Sequence, residues 1–154
     1  GDAVWDSSTF TDNSATLRGG GIYAAQSTHT FASSTLDGNS STERGGALYA
    51  NTGAVVTMTD TTVRNSTAPR GAGLYLNGTG TAVTLNRGEV HGNTATVSGG
   101  GARLTDGTLT STGTGWGVTS ANSDDVYVNV VGPFDYQGVA TFVCTSAGCT
   151  PPPQ

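Results

Sequence analysis

The sequence predicts an all-β solenoid: a parallel β-helix of about four to five three-strand coils, followed by a C-terminal β cap. A glycine-rich corner returns along the 154 residues at steps of 26, 26 and 28, beginning at residues 19, 45, 71 and 99. An asparagine precedes each corner by six residues, and these four are Asn13, Asn39, Asn65 and Asn93. Such a period, without helical periodicity, is typical of a repeat protein that adds one coil per repeat.

Large apolar residues follow the same period as the corners. One column contains Phe10, Leu36, Val63 and Val90, and a second contains Trp5, Phe31, Met58 and Leu85. In a parallel β-helix each strand pairs with its equivalent one coil further along, about 4.8 Å away, so like side chains stack on like. The apolar columns then form a core that a single coil could not bury alone.

The corners and the asparagines each predict a structural role. Glycines are expected where crowding of the backbone excludes a Cβ atom. The asparagines Asn13, Asn39, Asn65 and Asn93 are expected to form a ladder, in which each side-chain amide bonds to the backbone and to the next asparagine. Each such hydrogen bond would contribute about 1 kcal/mol to stability.

The organisation predicted along the chain is a solenoid, a cap and a tail. The coils lie near residues 1–26, 27–53, 54–80 and 81–106, a partial fifth coil at 107–120, the cap at 121–150 and a proline-rich tail at 151–154. Cys144 and Cys149 are separated by a flexible loop that a disulfide could close, although two reduced cysteines would have the same sequence. A disulfide would indicate an oxidising compartment outside the cytoplasm.

Charge and composition limit the function classes. Only 11% of the residues are charged and the net charge is −5, whereas nucleic-acid binders concentrate Lys and Arg on one face. No apolar run is long enough to span a bilayer. The acids Asp12, Asp37 and Glu43 fall at turns and not in one row, and the sequence contains no Ser-His-Asp arrangement. We therefore expect no catalytic residues, no metal site and no cofactor.

Two motifs resemble those of a known family. Residues 10–13 (Phe-Thr-Asp-Asn) match the FxxN motif, and residues 45–48 (Gly-Gly-Ala-Leu) match the GGA(I/L/V) motif, of the chlamydial polymorphic outer-membrane proteins. The resemblance covers roughly residues 5–106. It implies a right-handed β-helix similar to the passenger region of a surface-displayed adhesin. The C-terminal segment is more similar to the end of secreted bacterial β-helix repeat proteins.

The N-terminal coil is predicted to present an uncapped face. Trp5 already occupies the apolar column, and no polar capping element precedes it. Three explanations are open: residues 1–6 form a small frayed cap, earlier coils belong to a longer protein, or another molecule covers the face. In the last case, head-to-tail assembly would produce filaments.

Three outward columns are candidate partner surfaces. They are Arg18, Arg44 and Arg70; Tyr23, Tyr49 and Tyr75; and Thr30, Thr57, Thr84 and Thr108. The arginines could bind acidic glycans or simply be solvated turn cations. The tyrosines could form a flat strip that stacks on sugars or on a partner protein, or pack across strands. The threonines resemble the flat face of β-helical ice-binding proteins.

These features predict a non-catalytic extracellular structural or adhesive module of the cell surface, with self-assembly through the N-terminal coil as one form of it. The expected partners are further copies of the chain, or a host or surface glycan or protein, without nucleic acid. The alternative is a glycan-binding or polysaccharide-degrading β-helix protein, and ice binding is a further alternative. Repeats of 26–28 residues favour the first interpretation, because they leave little room for loops that would wall a cleft.

Overall fold

The computed structural model describes residues 1–153, and it confirms the predicted fold class: a parallel β-solenoid of about five turns. All regular secondary structure in these residues is β-strand. Residues 1–153 contain no helix that could cross a membrane.

The strands follow one another in coils. The first coil contains β1 (Ala3–Asp6), β2 (Thr9–Thr11), β3 (Ser14–Ala15) and β4 (Ile22–Ala25). The second contains β5 (Thr28–Ala32), β6 (Thr35–Asp37), β7 (Ser40–Ser41) and β8 (Leu48–Asn51). The third contains β9 (Val55–Thr59), β10 (Thr62–Arg64), β11 (Thr67–Arg70) and β12 (Leu74–Asn77). The fourth contains β13 (Ala82–Asn86), β14 (Glu89–His91), β15 (Thr94–Ser98) and β16 (Ala102–Leu104). The fifth contains β17 (Thr108–Trp116) and β18 (Val126–Val128), and β19 (Gly132–Phe134), β20 (Gly138–Thr145) and β21 (Gly148–Thr150) follow.

Each of the first four coils has four strands, whereas the sequence predicted three. The additional strand lies just before the glycine corner, and it is β3, β7, β11 or β15 according to the coil. In the first two coils it is only two residues long and consists of small residues, Ser14–Ala15 and Ser40–Ser41. Segments of this kind carry no alternation of large apolar and polar residues, so the pattern that reveals a strand in a sequence is missing.

Equivalent strands of successive coils pair in parallel and form three sheets. One sheet has the order β15-β11-β7-β3, and another has the order β19-β18-β16-β12-β8-β4. The largest sheet combines two faces, β1-β5-β9-β13 and β2-β6-β10-β14, which meet at β17. They meet there because the first part of β17 pairs with β13 and its end pairs with β14.

Inward side chains stack in columns, as the sequence predicts. The column that starts at Trp5 continues through Phe31, Met58 and Leu85. Two further columns are Phe10–Leu36–Val63–Val90–Trp116 and Ile22–Leu48–Leu74–Ala102–Val126. Beyond the first coil, no member of these columns exposes more than 2% of its surface. The core is therefore continuous along the solenoid axis, and each coil is buried by its neighbours.

The threonine column differs from the prediction at its last member. Thr30, Thr57 and Thr84 stack on one another, but the next member is Thr110. Thr108 lies opposite Ala82 instead, one pleat earlier along the same strand. The prediction was wrong because Thr108 and Thr110 are two residues apart on the same strand and face the same way, so alternation alone does not distinguish them.

The fifth coil extends beyond residue 120, into residues that the sequence analysis assigned to the cap. β18 pairs in parallel with β16, so Val126 lies opposite Ala102 and Val128 opposite Leu104. Both valines are fully buried. They therefore continue the inward columns of the solenoid.

Antiparallel strands close the C-terminal end of the stack. β20 runs antiparallel to β17, and β19 runs antiparallel to β18. Phe142 on β20 is buried with its ring centre 5.4 Å from that of Trp116. Cys144 and Cys149 form the predicted disulfide between directly opposed positions of β20 and β21. The change from parallel to antiparallel pairing ends the repeat, and the name cap is used below for β19, β20 and β21.

Candidate functional site

Ladder asparagines join the second and fourth coils each to the coil before it. In the second coil the Asn39 Oδ1 atom accepts a hydrogen bond from the Asn13 backbone N–H at 3.0 Å, and its Nδ2 donates to the Phe10 carbonyl at 2.8 Å. Asn93 makes the same two bonds to Ser66 and Val63, at 3.0 Å each. Each side-chain amide thus bonds to one backbone N–H and one backbone C=O of the preceding coil, in place of backbone partners. Buried polar groups are generally hydrogen-bonded in this way.

The predicted ladder is wrong at Asn65. The third rung is Ser66, because the Asn93 side chain bonds to the Ser66 N–H and not to Asn65. Asn65 instead adopts a left-handed conformation, with φ 52°, and its Nδ2 donates to Asp37 at 2.8 Å. Asparagine is one of the few residues other than glycine that tolerate this conformation.

A fifth rung, which the sequence analysis did not find, is Asn122. Its Oδ1 accepts from the Asn93 backbone N–H at 3.1 Å, and its Nδ2 donates to the Val90 carbonyl at 2.9 Å. The spacing from Asn93 is 29 residues, and no glycine corner follows Asn122, so the repeat pattern contains no signal for it.

The third residue of the first and third corners, a glycine in both, makes room for a ladder amide. A Cβ atom at Gly21 would lie 3.1 Å from the Asn39 Cγ, and one at Gly73 would lie 3.3 Å from the Asn93 Cγ. The second coil has Ala47 at this position, and by the same register it faces Ser66. The coil with the additional methyl group of Ala47 is thus followed by a coil in which the smaller Ser66 replaces the ladder asparagine.

This pairing predicts coupling between two substitutions. Ser66→Asn would restore the two hydrogen bonds to the second coil, but the Ala47 methyl group would crowd the new amide. Combined with Ala47→Gly, the asparagine should fit. In a double-mutant cycle measured by chemical denaturation, we expect the double variant to be more stable than the sum of the single effects by about 1 kcal/mol. Additive effects within about 0.3 kcal/mol would contradict the proposed contact.

The tyrosine column is not the exposed strip that the sequence predicted. Tyr49 and Tyr75 expose 0% and 2% of their surface, and only Tyr23 is exposed, at 51%. The rings stack on one another, with centres 5.2 Å apart for Tyr23 and Tyr49 and 5.5 Å apart for Tyr49 and Tyr75. The glycine corner covers them from outside, since a Cβ atom at Gly45 would lie 2.8 Å from the Tyr49 Cβ.

The arginine column completes this cover. Arg18, Arg44 and Arg70 stack in register, as predicted. The Arg18 Cζ lies over the Tyr49 ring, 5.4 Å from its centre, and the Arg44 Cζ lies over the Tyr75 ring at 5.5 Å. Arg18 also pairs with Glu43 of the next coil, with Nε and Oε2 3.6 Å apart. Stacking on aromatic rings explains how like charges are tolerated in one column.

A tyrosine of the fifth coil is also covered by an arginine, but from a different position. Arg103 takes the place of a tyrosine in the fourth coil, opposite Tyr75 and Tyr127. Its Cζ lies 4.8 Å from the centre of the Tyr127 ring, and its Nη2 donates to Asn129 at 2.5 Å. Arg103 is only 9% exposed, although it lies in register with the outward tyrosines.

The strands of the first coil are the outermost strands of their sheets. β1, β2, β3 and β4 each have a strand neighbour on one side only. Trp5, the predicted assembly residue, is partly buried, and its ring centre lies 5.1 Å from that of Phe10 and 6.4 Å from that of Phe31. Val4 and Leu17 are exposed by 78% and 57%. This face therefore combines apolar side chains with strand edges whose backbone N–H and C=O groups have no neighbouring strand on one side.

Two further Asp–Arg pairs connect neighbouring coils on the surface. Arg64 approaches Asp37 to 2.8 Å, and the Arg64 hydrogen bond lowers the pKa of Asp37. Asp60 and Arg87 form a two-point contact at 2.7 and 2.8 Å. Within residues 1–153, no three His, Cys, Asp or Glu side chains lie close enough to share a metal ion. The two Asp–Arg pairs each connect one coil to the next.

Stacked parallel coils, an internal amide ladder and recurrent glycine corners define this chain as a β-solenoid repeat protein. Residues 7–25 and 33–51 match the family described as the Chlamydia polymorphic membrane protein (Chlamydia_PMP) repeat. Each matched segment contains one FxxN-like motif and one glycine corner, so the predicted resemblance is confirmed for the first two coils. No curated protein and no solved structure shows a significant match to the chain.

Proposed function

We propose that the chain is a non-catalytic structural and adhesive module displayed on the outside of a cell. The observation that supports this best is the regular stack itself. Successive ladder positions are separated by 26, 27, 27 and 29 residues, and these residues are used for short strands and tight corners. The surface is therefore a set of flat faces, which suits contact with a large partner better than enclosure of a small substrate.

The location is proposed from the matched repeat and the disulfide. The matched family is described as a membrane protein repeat, which suggests a place at the cell surface. The Cys144–Cys149 disulfide is compatible with this location, because disulfides persist in oxidising compartments. The partners we propose are another solenoid chain, or a surface glycan or protein.

The first coil is the part of the module that we propose to engage another coil. Its strand edges and the half-buried side chains of Trp5, Phe10 and Ile22 are the kind of surface that the inner coils bury against one another. Head-to-tail stacking of identical chains also needs an open C-terminal end, which the cap covers. We therefore propose that identical chains stack in this way only when the cap is displaced.

The alternatives remain predictions with different support. The glycan-binding alternative relied on an exposed strip of tyrosine rings, and Tyr49 and Tyr75 of that strip are buried. Ice binding would use the outward face with Thr57, Thr84 and Thr110, which the structure does align.

Two measurements on the purified chain test the proposal. In a turnover assay with acidic and neutral polysaccharides we expect no cleavage, and sustained cleavage would overturn the non-catalytic function. In electron microscopy we expect separate particles, because the cap blocks head-to-tail stacking. Fibres formed by the intact chain would show that the cap does not prevent stacking.

A further inference from the structure

We propose that the flat, threonine-rich side of the solenoid binds ice. The name threonine face is used for the outward side chains of six adjacent strands, β5, β9, β13, β17, β20 and β21. This face lies along the side of the stack, so it is exposed whatever adjoins the first coil. The inference goes beyond the proposed function and does not rest on it, because it does not require the first coil to engage a partner.

The central column of the threonine face continues from the repeats into the cap. Its members are Thr30, Thr57, Thr84, Thr110, Val143 and Thr150, each opposite the next. β20 runs antiparallel to β17 and does not belong to the repeat, yet Phe142 and Cys144 are buried and Val143 between them is 42% exposed. Valine has the shape of threonine, with a methyl group in place of the hydroxyl. The column is therefore a property of the whole face and not only of the repeat.

The flanking columns consist of small, uncharged residues as well. They are Thr28, Val55, Ala82 and Thr108 on one side, and Ala32, Thr59, Asn86 and Thr112 on the other. Asp60 and Arg87, at the adjoining turn, are paired with each other at 2.7 and 2.8 Å. A charged side chain holds a hydration shell of its own, which is costly to remove. The face imposes no such shell on the water beside it.

The composition of the face argues against the other partners of a flat surface. Protein interfaces take most of their binding energy from Trp, Tyr and Arg, and Thr and Val are under-represented among these residues. Sugars stack on flat aromatic rings, and partners that carry phosphate require Lys or Arg. The outward residues of the six strands include none of these aromatic or basic types. An ordered lattice of water requires only regularly spaced hydroxyl and methyl groups.

The hydroxyl groups of the central column are available to lattice water. At the corners, the Thr61 and Thr81 hydroxyls donate to backbone carbonyls at 3.1 and 2.8 Å. On the face, the hydroxyls of Thr57 and Thr84 form no hydrogen bond within residues 1–153. Neighbouring strands are about 4.8 Å apart, alternate residues of a strand are about 6.6 Å apart, and β-branched side chains have few rotamers. The face thus holds its hydroxyl and methyl groups on a rigid grid, as binding to the fixed positions of water in a crystal requires.

The experiment measures how the intact chain partitions between liquid water and slowly growing ice. A solute without affinity for ice is excluded from the crystal, whereas we expect the chain to enter it. Thr84→Lys places a charge at the centre of the face, and we expect the ice to contain about ten-fold less of this variant. Thr62→Lys is the matched control, because Thr62 lies on another side of the stack, between Thr35 and Glu89. It should enter ice as the unchanged chain does.

A second variant tests whether the cap belongs to the face. Val143→Lys should also reduce entry into ice, and thermal unfolding of all three variants shows that the fold is intact. Exclusion of the unchanged chain from ice would overturn the inference. Full entry of Thr84→Lys or Val143→Lys, or an equal loss in Thr62→Lys, would also overturn it. The microscopy and turnover assays do not depend on this result, so a failure here leaves the proposed function standing.

Discussion

Replacement of Gly46 by alanine is expected to destabilise the solenoid by about 3 kcal/mol, at the upper end of what overpacking usually costs. A Cβ atom at this position would lie 2.5 Å from the Ala72 carbonyl oxygen and 2.6 Å from the Thr67 carbonyl oxygen. Both atoms belong to the backbone of the third coil, so no side-chain rotation can relieve the contact. The second coil would have to move away from the third, which would weaken the parallel hydrogen bonds between them.

Chemical denaturation of Gly46→Ala and of a matched control would measure this effect. The control is Gly53→Ala, at a position where φ is +74° and no atom lies within 4 Å of the added Cβ. It should cost about 1 kcal/mol, which reflects the left-handed conformation alone. Equal losses for the two variants would show that glycine is needed at the corners for conformational freedom and not for close approach of the coils.

The inward columns could be predicted from the sequence because every coil repeats the same burial. A side chain such as Leu48 lies between Ile22 and Leu74, so the three positions have the same environment and the same apolar character. The glycine corners could be predicted for a similar reason, since backbone crowding recurs once per coil. Features that repeat with the coil are therefore visible in a single sequence.

The spacing of asparagines did not identify Ser66 as the ladder position of the third coil. Asparagine is favourable both at the ladder position and at the left-handed position directly before it. It can supply the ladder amide, as Asn39 does, or occupy the left-handed position before it, as Asn65 does. Alignment on the left-handed position would have shown the difference. That position holds Asp12, Gly38, Asn65 and Gly92, all with positive φ.

Burial of the tyrosine column also could not be predicted from the alternation of inward and outward residues along a strand. Alternation along β8 correctly places Tyr49 on the outward face of the strand, but outward does not mean exposed in a solenoid. The corner that follows β7 folds over this face and brings Gly45 against the Tyr49 side chain, and the corner that follows β3 places Arg18 over the ring. The relevant signal was the common 26-residue period of the arginines and the tyrosines, which places both in every coil.

Attachment of the cap depends on the buried carboxylate of Asp125. The residue is 4% exposed. Its Oδ2 accepts from the backbone N–H groups of Tyr136 and Gln137 at 2.8 and 2.9 Å, and its Oδ1 accepts from the Asn122 amide at 2.9 Å. One carboxylate thus joins the segment that leads into β20 to the last rung of the ladder.

Asp125→Ala is expected to weaken the attachment of the cap by about 3 kcal/mol, because three donors lose a charged acceptor. Hydrogen exchange should show the loss as faster exchange of the amides of Gly138–Thr145, with little change in Leu74–Asn77. Asp125→Asn is the matched control, since it keeps one acceptor oxygen and should cost less. Uniformly faster exchange along the whole chain would contradict a local role for this residue.

Release of the cap should also change the assembly of the chain. With β20 and β19 displaced, the edges of β17 and β18 become free to pair in parallel with β1 and β4 of a second copy. We expect Asp125→Ala to form fibres in electron microscopy, and Asp125→Ala combined with Trp5→Asp to remain dispersed, because a carboxylate in the first coil would be buried without a partner. Amorphous aggregates that persist in the double variant would indicate nonspecific association, and the proposal that the first coil stacks on an opened C-terminal coil would then be wrong.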